Sequence, residues 1–282
     1  MAVQTVQVVT DSTSDIPREL ARAAGIEVVP LTIRFGSEVF ADGVDLSGEA
    51  FYEKLRTSPT IPTTSAPSPG DFLHVYHRAV QRGQQVISIH ISGEVSATYS
   101  SAALAAQEFP GRVHVVDSRN VSMAFGWVAV RAAAAAQAGA GIEVIKALVE
   151  DALPRAHLYA VLGTLENLRR GGRLGRAAAF LGTVLQVKPI LTVSSGVVSP
   201  VEKVRLIGRA IERLVEIAQE HAPIEQMAVA QTDAPDTFEQ LRLLVAEKMP
   251  GLDLLGYRAG AVIGALAGPG AVALVFVSGR KG

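Results

Sequence analysis

Cysteine is missing from the 282-residue sequence, and aromatic residues make up only 5% of it. The lack of cysteine excludes a disulfide framework, a thiolate zinc site and a cysteine nucleophile. Because aromatics are scarce while 49% of the residues are hydrophobic, the core must be built mainly from Ala, Val, Leu and Ile. This composition is typical of globular proteins whose buried sheets are covered by helices.

Neither sign of charge dominates the sequence. It has 26 Lys and Arg residues against 27 Asp and Glu residues, and no long run of one sign that could follow a phosphate backbone. This balance argues against a nucleic-acid partner. Residues 1–10 contain no basic stretch followed by an apolar one, as a secretion signal would, so a cytoplasmic location is expected.

One segment has no charged residue over nineteen positions, 259–277, a length close to that of a membrane-spanning helix. Glycine and proline recur in it and would interrupt a helix repeatedly; they are Gly260, Gly264, Gly268, Pro269 and Gly270. The segment is therefore predicted not to span a membrane. It is predicted to form two buried strands joined by a turn at 268–270.

Strand and helix patterns alternate along the first half of the chain. A strand pattern at residues 5–9 precedes a helix with Pro17 in its first turn, and a second strand is predicted at 27–33. This opening predicts an α/β protein with a mainly parallel sheet and flanking helices, whose functional loops follow the carboxyl ends of strands. The chain length favours two α/β domains, and the pattern changes after Leu153-Pro154. We expect an N-terminal domain at residues 1–163 and a C-terminal domain at 164–282.

The remaining predicted elements follow the same kind of pattern. Helices are predicted at 47–56, 68–82, 96–108, in an alanine-rich segment ending near 139, and at 204–220 and 236–248. Strands are predicted at 86–91, 113–116, 158–162, 187–193, 197–201 and 227–230.

Loops rich in Ser and Thr follow strand patterns in the first half, at residues 10–14, 63–65 and 92–101. In a parallel sheet such loops can converge at one edge. Hydroxyls and free backbone N–H groups at helix N-termini suit a carboxylate, whose charge the helix dipole also favours. The alternative is that each of these residues only caps a helix, which is the commoner role of Ser and Thr in that position.

Histidine and serine chemistry receives less support from the sequence. His74 and His77 could share a helix face, but no third ligand completes a metal site nearby, so a solvated face is predicted. His90 lies in an apolar strand and is predicted to be a core histidine with satisfied hydrogen bonds. Residues 91–98 do not match the G-x-S-x-G pattern of a serine hydrolase.

Residues 169–176, termed the arginine turn below, contain four arginines and three glycines. They lack the spacing of a P-loop and of a dinucleotide-binding loop. Guanidinium groups bind phosphates and carboxylates, so an anion or partner site is one interpretation. The other is a tight turn whose arginines pair with acidic neighbours, and both stay open.

Seven short motifs in fixed order resemble the DegV family of bacterial fatty-acid-binding proteins, and the match runs almost end to end. The motifs are V-T-D-S-T-S-D at 9–15, T-S-A-P-S-P at 64–69, S-A-T-Y at 96–99, V-D-S at 116–118, G-G-R-L at 171–174, K-P-I at 188–190 and G-P-G-A at 268–271.

This resemblance implies one long-chain fatty acid, such as palmitate or oleate, enclosed in a tunnel between two α/β domains. Thr64 and Ser96 match the carboxylate ligands of the family, and Ser65, Thr98 and Leu266 are expected beside the head group.

In related proteins the bound lipid is presented to a separate fatty acid kinase, which phosphorylates the carboxylate. The resemblance therefore implies a binding protein, not an enzyme, with no catalytic residue, metal or other cofactor of its own. Arg205 matches a basic position on the kinase-facing surface, and Arg173 is a further candidate for a contact with a partner or an anion.

Three positions depart from the family pattern. Leu266, between two alanines, stands where the family commonly has a histidine flanked by threonines; Ala66 replaces a glutamine, and Ala97 replaces the glycine of S-G-T-Y. A more apolar head-group site would bind an ionised carboxylate less well. Two alternatives follow: a divergent binder of another amphipathic ligand outside the kinase pathway, or an enzyme of phosphoryl or acyl transfer that uses the arginine turn.

Overall fold

The computed structural model describes residues 5–180 and 187–280, and the strands in these ranges form three sheets. In chain order the strands are β1 (Val6–Asp11), β2 (Glu27–Val29), β3 (Thr32–Phe35), β4 (Glu38–Ala41), β5 (Thr63–Ser65), β6 (Gln85–His90), β7 (Val113–Asp117), β8 (Ala156–Val161), β9 (Lys188–Ser194), β10 (Val197–Val204), β11 (Ile224–Thr232), β12 (Leu254–Arg258) and β13 (Ala271–Ser278). The helices are α1 (Arg18–Ala24), α2 (Gly48–Thr57), α3 (Pro69–Gln81), α4 (Thr98–Ala106), α5 (Met123–Gln137), α6 (Ile142–Ala152), α7 (Glu166–Arg170), α8 (Ile207–Glu220), α9 (Pro235–Lys248) and α10 (Ala261–Ala267).

The first sheet is parallel and has the strand order β2-β1-β6-β7. Its central strands, β1 and β6, are buried along most of their length because helices cover both faces. Helices α3 and α4 pack on one face through Phe72, Tyr76 and Ala102. Helix α5 covers the other face, against Val8 and Ile89. The predicted α/β class, with a parallel sheet and flanking helices, is confirmed.

The second sheet is mixed and has the order β10-β9-β8-β13-β11-β12. Helices α8 and α9 cover one face through Leu214 and Leu241, which pack against Phe276. The opposite face contacts α5 through residues such as Ala228 and Val275. Strand β8 belongs to this sheet although it precedes residue 163. The division into domains at 1–163 and 164–282 stays a prediction.

Helix α5 lies between the two sheets and is apolar on nearly every side. Ala129, Ala132 and Ala133 are fully buried in a cluster that contains residues of both sheets. A helix buried on several faces must be apolar around its circumference, and small side chains let two sheets approach it closely. The alanine run therefore satisfies packing as well as helix propensity.

The predicted strand at 27–33 is wrong in one respect, because the segment divides at Pro30 and Leu31. Proline has no N–H group and cannot donate in a ladder on that side. Strand β2 pairs with β1 in the parallel sheet, whereas β3 joins β4 and β5 in a small antiparallel sheet. Ile33 pairs with Thr64 in that sheet, so the break in the strand also places the hydroxyl of β5.

The predicted strand pair at 259–277 is also wrong in its first half, which forms helix α10. An apolar segment without charges shows no periodicity that separates a buried helix from a buried strand. Helix α10 packs on Phe51 and Tyr52 of α2, and a Cβ at Gly264 would collide with both rings. Within residues 5–180 and 187–280, no helix has the length and apolar character needed to cross a membrane.

Ala132→Leu should lower the free energy of unfolding by about 1–3 kcal/mol, because the larger side chain must displace one of two sheets that already pack at close range. Urea denaturation measures the change. Ala134→Leu is the matched control, since Ala134 is exposed on the same helix. Equal effects of the two substitutions would contradict the packing role assigned to the buried alanines.

Candidate functional site

A cavity of about 200 Å³ lies between the two sheets. Its wall is mostly aliphatic and comes from both halves of the chain: Ile91 follows the parallel sheet, Leu158 and Val272 belong to the mixed sheet, and Val262 and Ile263 lie on α10. An apolar wall of this kind suits a hydrocarbon ligand.

The cavity lies next to the N-terminal end of helix α5. Val121 and Ser122, which immediately precede α5, line the cavity. Ala230 and Ala273 of the mixed sheet contact the α5 cluster and also line the cavity. The helix thus fills the space between the sheets up to its first residue, and beyond that residue the same space is open.

Polar side chains predicted from the sequence lie together in the wall of this cavity. Thr64 and Ser65 come from β5, Ser96 from the turn before α4, and Arg173 from the arginine turn. The structure therefore brings together the two hydroxyls, the neighbouring serine and the cation, on segments that are distant in sequence. Among the described residues, Thr64 Oγ1 makes no hydrogen bond that would occupy it.

Thr98 does not line the cavity. It is fully buried, and its Oγ1 lies 2.8 Å from Ser96 Oγ. The Thr98 N–H also donates to Ser96 Oγ at 3.3 Å, so Ser96 both supports the first turn of α4 and lines the cavity. Its neighbour Ala97 has φ −73° and ψ 0°, which alanine adopts without strain, so the replacement of glycine leaves this turn intact.

The turn at residues 92–96, termed the serine turn below, is held by hydrogen bonds from several segments. Ser92 N–H donates to the Asn120 carbonyl at 3.0 Å, and Gly93 N–H donates to Asp117 Oδ1 at 3.1 Å. Ser92 Oγ donates to the carbonyl of Gly196 at 2.8 Å, in the tight turn between β9 and β10. This last bond joins the serine turn to the mixed sheet.

The arginine turn divides into two functional parts. Arg169 and Arg170 both pair with Glu166, and their hydrogen bonds lower the pKa of that carboxyl to about 2. The interpretation as arginines paired with an acidic neighbour is therefore correct for these two. Arg173 instead donates to the carbonyls of Val95 at 3.0 Å and Gly171 at 2.6 Å and lines the cavity.

Arg205 lies elsewhere, on the exposed connection between β10 and α8, beside Leu206, which is 72% exposed. It does not line the cavity. The structure thus separates the two arginines that the sequence analysis grouped as candidates for partner or anion contacts. Arg173 lines the same cavity as the two hydroxyls, and Arg205 is on an outer surface.

Leu266 lines both the cavity and an adjacent depression, which also share Thr64 and Arg173. The depression also contains Asn167 and Arg170. The side chain is close to Gly171, where an added Cβ would lie 2.7 Å from Leu266 Cδ2. At this point a hydrocarbon surface, with no hydrogen-bond donor, faces the predicted head-group residues.

Buried carboxylates at the start of α10 were missed by the sequence analysis. Gly260 N–H donates to Asp15 Oδ1 at 2.8 Å, and Ala261 N–H donates to Asp42 Oδ1 at 3.1 Å. Ser122 Oγ donates to Asp15 Oδ2 at 2.5 Å and lies 2.7 Å from Tyr257 Oη. These bonds fix α10, which forms part of the cavity wall. Asp15 is the last residue of the T-D-S-T-S-D motif, and its place among hydroxyl side chains is the signal that the sequence offers for it.

The predictions for the histidines agree with the structure. His90 is fully buried and hydrogen-bonded, its Nδ1 lying 2.9 Å from Asp11 Oδ2 and its Nε2 lying 2.6 Å from Ser88 Oγ. His74 and His77 lie on the exposed face of α3. No group of three or more candidate metal-binding side chains occurs in the part of the chain that the structure describes.

A family model described as an uncharacterised protein of the DegV family matches residues 5–279. The chain belongs to the DegV family. Protein DegV of Bacillus subtilis is 34% identical over 276 residues, which cover 95% of this chain and 98% of that protein. A DegV domain-containing protein of Streptomyces coelicolor is 38% identical over 278 residues, covering 97% and 98% of the two chains.

Solved DegV structures have the same fold. A fatty-acid-binding DegV family protein from Thermus thermophilus superposes with a TM-score of 0.90 at 35% identity, covering 97% of this chain and 99% of that one. DegV of Bacillus subtilis, described as a fatty acid binding protein, gives a TM-score of 0.87 at 33% identity, with 98% and 99% covered. The family predicted from the seven motifs is confirmed.

The stability of this DegV chain should depend on pH through Asp15. Burial raises the pKa of Asp15 to about 7, so the folded state holds the proton more tightly than the unfolded chain. The contribution of protonated Asp15 to the free energy of unfolding is fully present below the ordinary aspartate pKa and is lost as pH rises through about 7. Asparagine cannot ionise, so the free energy of unfolding of Asp15→Asn should rise by about 2–3 kcal/mol relative to that of the native chain between about pH 5 and pH 8.

Urea unfolding at a series of pH values measures this difference. Asp236→Asn is the control, because Asp236 is exposed in the first turn of α9. If the free energies of unfolding of the native chain and the Asp15→Asn variant ran parallel across the range, Asp15 would not be the group responsible.

Proposed function

We propose that this DegV chain binds one long-chain fatty acid, such as palmitate or oleate, in a tunnel formed by the cavity between its sheets. In this proposal Thr64 and Ser96 hold the carboxylate, and the acyl chain lies against the aliphatic wall. The observation that carries it is the combination, in one cavity, of a hydrocarbon lining with two hydroxyls and an arginine. The similarity to DegV proteins described as binding fatty acids supports the same ligand class.

The head-group chemistry is consistent with a carboxylate. Thr64 Oγ1 and Ser96 Oγ can each donate a hydrogen bond, and charge-assisted bonds to a carboxylate are stronger than neutral ones. Arg173 places a guanidinium in the same wall; it donates to two backbone carbonyls, which carry no charge and leave its positive charge available. A buried carboxylate requires this kind of compensation. Ser65 is a further donor beside the site.

The proposed role is that of a carrier, not an enzyme, and it needs no metal or other cofactor. The carboxylate would be presented to a separate fatty acid kinase. Arg205 and the exposed Leu206 offer a basic and an apolar contact on an outer surface for such a partner. Pairing of Arg169 and Arg170 with Glu166 leaves those two arginines less suited to phosphoryl transfer. We also propose a cytoplasmic location and the domain division at 1–163 and 164–282.

Solvent extraction of the purified protein, followed by mass spectrometry, tests the ligand class directly. The expected result is an acyl chain in near-equimolar amount with the protein. If no acyl chain is found and neither palmitate nor oleate binds to the extracted protein, the proposed function is wrong.

Thr64→Ala and Ser96→Ala should each weaken palmitate binding by about 1–3 kcal/mol, the usual cost of leaving a buried charge without one of its donors. Titration calorimetry on delipidated protein measures the change. Ser68→Ala is the matched control: Ser68 forms a capping box with Asp71 on α3 and should affect stability without affecting binding. Native affinity in both cavity variants would remove these hydroxyls from the site.

A second candidate function is favoured by Leu266, whose apolar side chain lines the head-group end of the cavity. A site with fewer donors would suit an amphipathic ligand with a less charged head group, outside the kinase pathway.

Leu266→His should distinguish the two candidates. If the ligand is a fatty acid, the added donor should strengthen palmitate binding by about 0.5–1.5 kcal/mol. Competition between palmitate and hexadecanol on the native chain provides the reference measurement. A native preference for hexadecanol, reversed in Leu266→His, would support the divergent ligand instead.

A further inference from the structure

A chain of four hydrogen-bonded side chains lies beneath the serine turn, away from the cavity lining. Tyr76 Oη, on α3, donates to Ser88 Oγ at 2.9 Å. Ser88 Oγ lies 2.6 Å from His90 Nε2, and His90 Nδ1 lies 2.9 Å from Asp11 Oδ2. All four side chains have 0% exposure. A buried polar group without a hydrogen-bond partner costs free energy, so each of the four side chains must stay in the position that keeps its bonds.

The direction of each proton follows from the donors. The Asp11 carboxylate can only accept, and with a neutral His90 imidazole this leaves Nε2 as the acceptor of the Ser88 hydrogen, while Ser88 Oγ accepts from Tyr76. His90 then carries its proton on Nδ1 and donates it to Asp11. Each hydrogen has one acceptor, and the arrangement selects a single tautomer of His90.

Asp11 is the end of this chain and the point where it reaches the serine turn. Its Oδ2 also accepts from the Ile91 N–H at 3.1 Å, and its Oδ1 accepts from the N–H of Thr13 at 3.0 Å and from the Thr13 hydroxyl. Ile91 is the last residue before the serine turn, and its side chain lines the cavity. The carboxylate thus fixes the point from which the turn bearing Ser96 departs.

The order Ser88, His90, Asp11 is that of a hydrolase triad, but the environment excludes that role. A nucleophilic serine must reach a substrate. Ser88, His90 and Asp11 have no exposed surface, and none of them lines the cavity.

We propose that Asp11 and His90 are positioning residues for carboxylate binding: the bonds that Asp11 accepts from His90 and Ile91 hold the serine turn so that Ser96 Oγ faces the head group. Neither residue touches the ligand. This inference rests on the proposed binding of a fatty acid through Ser96, and it assigns a role to the first acidic residue of the T-D-S-T-S-D motif.

Asp11→Asn tests the proposal. When the NH₂ group of the asparagine takes the place of Asp11 Oδ2, it is a donor that faces two other donors, His90 Nδ1–H and the Ile91 N–H. The Ile91 N–H then loses its acceptor and the turn shifts. Palmitate affinity of the delipidated protein should fall about tenfold. Hexadecanol has the same chain and no carboxylate, so its affinity should stay within about twofold. Nitrogen-15 spectra should show His90 leaving the Nδ1–H tautomer.

Thr10→Val is the matched control. Thr10 is fully buried next to Asp11, and its hydroxyl donates to the Ile89 carbonyl at 2.8 Å, outside the chain of four. This variant should lower Tm while keeping the native ratio of palmitate to hexadecanol affinity. Ser88→Ala is the second variant should Asp11→Asn fail to fold; by removing the donor to His90 Nε2 it should lower palmitate affinity about threefold and give mixed tautomers.

The outcomes separate the two proposals. A native chain that binds no palmitate contradicts the proposed function and this inference with it. If the native chain binds palmitate and Asp11→Asn binds it with native affinity, only this inference is overturned. The same holds for Ser88→Ala if Asp11→Asn does not fold. Equal losses for palmitate and hexadecanol, or the same selective loss in Thr10→Val, overturn it as well, because they indicate a general disturbance of the fold.

Discussion

The packing of two sheets against one helix is the constraint on which the rest of the structure depends. Helix α5 must be narrow and apolar because Ala129, Ala132 and Ala133 lie in one cluster with side chains of both sheets. The sheets extend past the first residue of the helix, and the space left between them there is the cavity. The position of the site is therefore a consequence of where α5 begins.

Buried acceptors turn this open space into a site with defined polar groups. Asp11 fixes the start of the serine turn, while Asp15 and Asp42 fix the start of α10. Each carboxylate accepts backbone N–H groups from a segment distant in sequence, which offsets part of the cost of its burial. The segments they hold carry Ser96 on one side of the cavity and Leu266 on another.

Local patterns predicted most of the elements, since periodic apolar residues and turn signals act over short distances. The hydroxyl loops and the family followed from motifs, and the structure places Thr64 and Ser96 in one cavity. What failed depends on tertiary context: the break at Pro30 that sends β3 to another sheet, and α10, whose apolar sequence fits helix or strand. Strands β4 and β12 and helices α6 and α7 were not predicted, and residues 63–65, predicted as a loop, form strand β5. The backbone N–H groups of Gly260 and Ala261 that donate to Asp15 and Asp42 lie more than two hundred residues away, beyond any local pattern.

The bond from Ser92 to the Gly196 carbonyl and that from Arg173 to the Val95 carbonyl cross between the serine turn and the second half of the chain. The same turn carries Ser96 into the cavity wall. A motion that separates the two halves of the chain must break both bonds, and it also moves the turn that carries Ser96 away from the cavity wall. Separation of the two halves and displacement of Ser96 are therefore coupled through two hydrogen bonds to backbone carbonyls.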